Sequence, residues 1–160
     1  MPLLDAFIPL SFALSLVACI CIARWYLMPA LERLPLAAAL VPLLLLHAFR
    51  FIGLAFLVPG VTAQPLDPRF ANPAAWGDLA ASLLAFAAIF ALRLNWRAAI
   101  PLAWVFNVVG TLDLLNAVTQ GMRFNHAAAM GATYFIPAVI VPALLVTHAM
   151  IFLLLVRRRA

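Results

Sequence analysis

Residues 34–58 read LPLAAALVPLLLLHAFRFIGLAFLV, an apolar run that carries His47 and, three residues later, Arg50. A stretch of this length covers the ~20 residues a helix needs to cross ~30 Å of hydrocarbon. It lacks the alternation of a barrel strand and is too long for one. The run therefore predicts a membrane-spanning helix with a fixed cation inside it. A charge at the bilayer centre costs about 2.5–3.5 kcal/mol on insertion scales, so it faces protein or a water-filled cavity and marks a functional position.

Four further runs share this character. The expected spans are residues 6–27, 34–58, 74–92, 98–118 and 133–156, which makes an all-α integral membrane protein, a single polytopic bundle of five transmembrane helices. Composition agrees. Of 160 residues 68% are hydrophobic and 9% charged, and the mean hydropathy is +1.15. A soluble domain is about half apolar and about a quarter charged. The first expected partner is thus the lipid bilayer, with further copies of the chain or a larger membrane complex left open.

The net charge is +5, and all ten basic residues are arginines. Apart from Arg50 they lie at the ends of apolar runs, where they anchor helices, so nucleic acid is not an expected partner. Arg24, Arg33, Arg93, Arg97 and Arg157 to Arg159 fall on one side of the five-span topology, against Arg69 and Arg123 on the other. This asymmetry predicts a cytoplasmic C-terminus and an outside N-terminus. Arginine without lysine in an alanine- and leucine-rich chain suggests a bacterium, hence a multi-pass protein of the cytoplasmic (inner) membrane. Leu16-Val17-Ala18-Cys19 matches a lipid-attachment box, but residues 1–10 hold only Asp5 and lack the positive n-region of a secretory signal. Cys19 and Cys21 point to nearly opposite faces of a helix and read as apolar fillers.

The polar residues at membrane depth form the candidate site. At about 1.5 Å per residue, Arg50 lies roughly 12 Å below the outer end of its span, Asp113 roughly 8 Å and Asp78 roughly 6 Å. Arginine reaches several ångströms along its stem, so Arg50 can meet either carboxylate. Asp113, Asn116 and Gln120 recur at helical spacing, as do His47, Arg50 and Leu54 with Gly53 beside them. Tyr134 enters the last span at a similar level. The ligand-binding residues expected from this pattern are Arg50, Asp113, Asp78, His47, Asn116, Gln120 and Tyr134. They would line a polar pocket in the outer half of the bilayer for a small polar or anionic molecule, bound or transported.

Simpler readings stand beside this one. An Arg50–aspartate pair can fix helix register and bind nothing, as in a structural or accessory subunit of a membrane complex. Asn107, Thr111 and Asn116 can simply hydrogen-bond between helices. No HxxxH, HExxH or Cys–His cluster occurs, so no metal site is expected and no cofactor is predicted. His47 and His148 are the only histidines at membrane depth, and the cofactor alternative is a b-type haem held between them in an electron-transfer protein. No catalytic residue is assigned, and the chain reads as a binding protein rather than an enzyme. Pro42, Pro137 and Pro142 are expected to kink the second and fifth spans. Gly77, Ala81 and Ala85 predict a close helix–helix contact. The likeness of His47-Ala48-x-x-Phe51 to His148-Ala149-x-x-Phe152 is taken as coincidence, because five spans do not divide into equal halves.

Overall fold

The computed structural model describes residues 2–124 and 127–157, and among them every regular element is helical. Five helices are long and apolar enough to cross a membrane: α1 (Ala6–Leu31), α2 (Leu36–Leu57), α3 (Pro68–Arg93), α4 (Ala99–Phe124) and α5 (Ile136–Arg157). Their number and order match the five expected runs, but several ends move. The loop expected over residues 59–73 is cut short because Asp67 caps α3. Its carboxylate accepts from the Arg69 amide at 2.8 Å, and Pro68 follows in the first turn, where its missing N–H costs nothing. Pro73 therefore lies inside the helix. α4 continues past Val118 to Phe124, helped by Thr119, whose hydroxyl donates to the Leu115 carbonyl at 2.7 Å and needs no other partner. Asn125 and His126, which fall between the fourth and fifth expected spans, and Arg158 and Arg159 lie outside the described residues.

Two departures from α geometry matter. The last nine residues of α2, Phe49–Leu57, form a 3-10 helix. With three residues per turn, positions i and i+3 eclipse, so Arg50, Gly53 and Phe56 stack on one buried face. The α-helical expectation that His47, Arg50 and Leu54 share a face fails for this reason. Ser82 of α3 donates to the Ala48 carbonyl at 2.6 Å, where the α pattern gives way. The other departure is a π turn over Ile136–Ile140 that includes Pro137. Pro42, by contrast, sits within the regular helix Leu36–Ala48.

The helices enclose two apolar clusters. One joins Leu40, Leu44, Ala88, Phe106, Ile151 and Leu155, and the other joins Phe56, Phe70, Leu114, Met130, Ile136 and Leu144. Between them lies a layer of polar side chains. Ala81 and Ala85 are fully buried on α3, on the small-residue stripe that lets α4 approach. α1 stands at the edge of the bundle and packs along α5, pinned by Ser11 and Tyr134, whose hydroxyls lie 2.6 Å apart. The loop after α2 pairs with the segment before α5, with the Ala63 amide donating to Ala129 at 3.1 Å and the Ala132 amide to Val61 at 3.0 Å. Gly131, at φ +53°, leaves room for that contact, since a Cβ there would strike the Ala63 amide.

The α3 cap gives a pH-dependent prediction. Hydrogen bonds from Arg69 hold the half-buried Asp67 carboxyl down at about 2. A depressed carboxylate favours the folded end above the ordinary aspartate range, and its contribution is lost as pH falls through the folded value. Amide exchange at Arg69 and Phe70 should therefore speed up, beyond its intrinsic pH dependence, between about pH 4 and about pH 2. Asp67→Ala should exchange fast throughout. A flat native profile across that window would show that the cap is not engaged.

Candidate functional site

Arg50 is the centre of the polar layer, and its side chain is fully buried. Every guanidinium nitrogen has an acceptor. Nε donates to Asp78 Oδ1 of α3 at 2.8 Å, Nη2 to Asp113 Oδ2 of α4 at 2.5 Å, and Nη1 to the Gly110 carbonyl at 3.1 Å. The two carboxylate side chains keep 13% and 15% exposure against none for Arg50, so the cluster's open face is made of the acids rather than the guanidinium.

Three glycines make the room. A Cβ at Gly53 would collide with the Asp78 carboxylate, and one at Gly77 with that of Asp113. At Gly110 it would meet both Arg50 Nη1 and the His148 ring at about 3 Å. Glycine is costly inside a helix relative to alanine, and here each one admits a charged or aromatic group to the helix axis.

A second polar group adjoins the first. His148 is buried, and its Nδ1 lies 2.7 Å from Asn107 Oδ1. The Asn107 amide nitrogen donates to the His148 carbonyl at 3.1 Å, so its oxygen is the acceptor and Nδ1 carries the proton. Nε2 is left with no partner, on the edge of the ring that faces Gly110 and Arg50. The His47 ring lies against that of His148, centroids 4.1 Å apart and planes tilted by 44°, and its Nε2 lies 3.0 Å from Thr147 Oγ1. Phe106 closes the pair from one side. A haem with two axial histidines needs a porphyrin between the rings. These rings touch each other and Phe106 instead, so as packed they do not fit that group.

A cavity of about 510 Å³ opens beside the cluster, walled by Ile8 and Phe12 of α1, Phe70 and Ala74 of α3, and Leu114 and Val118 of α4. Among the described residues Asp78 is the one ionisable side chain in its wall. A smaller space of about 280 Å³ lies between α2 and α5 and also reaches Asp78. The walls are therefore apolar, unlike the polar pocket expected from the sequence. The structure brings together Arg50, Asp78 and Asp113, with His148 beside them and His47 behind it. It does not bring Asn116, Gln120 or Tyr134 to them. The buried stripe of α4 runs through Asn107, Gly110 and Leu114 with Asp113 at its edge, and three residues more turn Asn116 roughly 60° further out. Asn116 is exposed and bonds Gln120 at 3.5 Å. Tyr134 serves the α1 contact. Gly110, Ser82, Asn107 and Thr147 complete the layer; sequence reasoning gives none of them to the site. The available signal is a glycine in each of three apolar runs, near the depth of the charges.

Residues 7–156 match the model of the family described as a domain of unknown function (DUF8737), and the chain belongs to that family. No curated protein and no solved structure matches it. Among the described residues no three His, Cys, Asp or Glu side chains converge as metal ligands.

The ion cluster predicts a characteristic mutational pattern. Breaking a buried pair from one side costs roughly 3–5 kcal/mol, whereas removing the charges together costs far less. Arg50→Leu should fall in that range in detergent-solubilised thermal unfolding. Adding Asp78→Asn and Asp113→Asn to it should restore most of the loss. If the triple variant is as unstable as Arg50→Leu, the charges are not what Arg50 holds together.

Proposed function

We propose that this chain is a multi-pass protein of a bacterial inner membrane, N-terminus outside, that binds a small and mainly apolar molecule in the cavity beside Asp78. The observation that carries this is one carboxylate edge in an otherwise apolar cavity of about 510 Å³, backed by a buried Arg50 and a second carboxylate. Ligand sites have this composition, apolar walls with a few placed polar groups. Asp78 then orients a hydrogen-bond donor or a cationic end. The anionic ligand expected from the sequence is disfavoured, because Arg50 is enclosed by its own acids and the open face is negative.

A second reading has its own support. The full pairing of Arg50 is what a register pin needs, and a pin serves an accessory subunit of a larger complex. Ligand response separates the two. Phenyltrimethylammonium, a small apolar body with a fixed positive charge, should raise the unfolding temperature of the detergent-solubilised protein. A ligand at 100 times its Kd adds about 2.7 kcal/mol. Ala117→Trp, which fills the cavity wall, should remove the effect. Stabilisation by benzoate instead would return the site to the anionic ligand expected from the sequence, and stabilisation by neither compound would favour the pin.

Orientation is tested separately. The arginine bias predicts that a reporter active only outside the cell stays silent when fused after Ala160 and works when inserted near Thr62. The reverse pattern would invert the bundle and with it the side from which the cavity is reached.

A further inference from the structure

The charges of the cluster do not balance. One guanidinium faces two carboxylates, and among the described residues the other groups packed around them leave the deficit in place. α2 contributes Arg50 and, further back, His47; α3 contributes Asp78; α4 contributes Asp113; α5 contributes His148. The face of α1 in the cavity, Ile8, Pro9 and Phe12, contributes no ionisable group. His148 does not supply the missing positive charge. Its Nδ1 proton is committed to Asn107, and a second proton on Nε2 would sit against Arg50 with no acceptor. A net negative charge left uncompensated in apolar surroundings is costly, so one positive charge completes the site.

Resting on the cavity reading above, we propose that the Asp78–Arg50–Asp113 cluster exchanges one proton for one monovalent organic cation. In the empty state a single proton is shared by the two carboxylates, each held against Arg50. When the cationic end of the ligand reaches Asp78 through the cavity, the O–H bond breaks, the electron pair stays on the carboxylate and the proton leaves to solvent. The charge of the buried site is the same before and after. Ligand uptake and proton release are thus one reaction, and the chemistry is that of a cation/proton exchanger.

The test counts protons. Phenyltrimethylammonium carries no titratable proton, so any proton that appears on binding comes from the protein. Its uncharged isostere tert-butylbenzene has the same shape. Calorimetry of the detergent-solubilised protein in buffers of different ionisation enthalpy should give close to one proton released per phenyltrimethylammonium bound. Affinity should rise about tenfold per pH unit while the cluster is protonated and level off above that. The isostere should release none. Asp113→Asn leaves a balanced Arg50–Asp78 pair, so it should bind the cation more weakly, with no proton release and a flat pH profile. Pairing in the native protein of tight cation binding with no proton release would overturn the exchange and leave the binding site standing. Equal binding of the two isosteres would remove the role of charge. Failure of both to bind would sink the cavity reading itself, and the exchange with it.

Discussion

A guanidinium away from water needs anions within hydrogen-bond reach, and the architecture around Arg50 is a set of concessions that supplies them. At about 4 Å, opposite unit charges attract by roughly 4 kcal/mol at an effective dielectric of 20. Desolvation consumes much of that unless the remaining donors are also satisfied. The third acceptor, the Gly110 carbonyl, is therefore as much a part of the cluster as the two acids. To bring the three to one point, α2 tightens into a 3-10 helix that stacks Arg50 on Gly53, and α3 and α4 give up side chains at Gly77 and Gly110. Long 3-10 runs are uncommon and mark strain or function within a helix. The nine residues Phe49–Leu57 lie where the charges meet.

The polar layer also divides the core. Apolar clusters lie on either side of it, and among the described residues they share no member. Ser82 on Ala48 and Asn107 on His148 tie neighbouring helices together within that layer by hydrogen bonds rather than by area. In a lipid environment this is an economical way to specify a packing, because apolar side chains gain little by exchanging lipid for one another. The bundle's uniqueness rests on the layer, while the alanine-rich contact of α3 with α4 supplies closeness.

Run length and hydropathy make the five helices legible in the sequence, because an apolar stretch of ~20 residues has few other uses. The meeting of Arg50 with Asp78 and Asp113 is legible from depth alone, since a cation at that level has few anions to choose from. The faces are not. An α-helical period assigns Leu54 to the Arg50 face, whereas the 3-10 period assigns Phe56, and no residue in FRFIGLAFL announces the change. Asn116 and Gln120 obey the helical spacing yet point away, because spacing fixes which residues share a face but not where that face is turned. Gly77 has the spacing of a packing residue, and only the fold shows that what packs there is a carboxylate. The two histidines invite a ligand between them; their ring contact follows from Phe106 and Thr147, which carry no distinguishing pattern in the sequence.

α1 links the cavity to the rest of the molecule. It is the least buried of the five helices and packs mainly on α5, yet it supplies one wall of the space beside Asp78. Its polar ties include Tyr134, whose hydroxyl meets Ser11 and donates to the Phe7 carbonyl, at one end and, at the other, the exposed Arg157–Glu32 pair at 2.8 Å between α5 and the turn that follows α1. An exposed ion pair contributes roughly 0–1 kcal/mol. A molecule that fills the cavity adds contacts to Ile8 and Phe12 that α1 otherwise lacks, so occupancy and the docking of α1 stabilise each other by the same free energy. The wall that is cheapest to move is thus the wall that a ligand most directly holds. Asp78, held through Arg50 to α2 and α4, stands in the α3 wall of the same cavity.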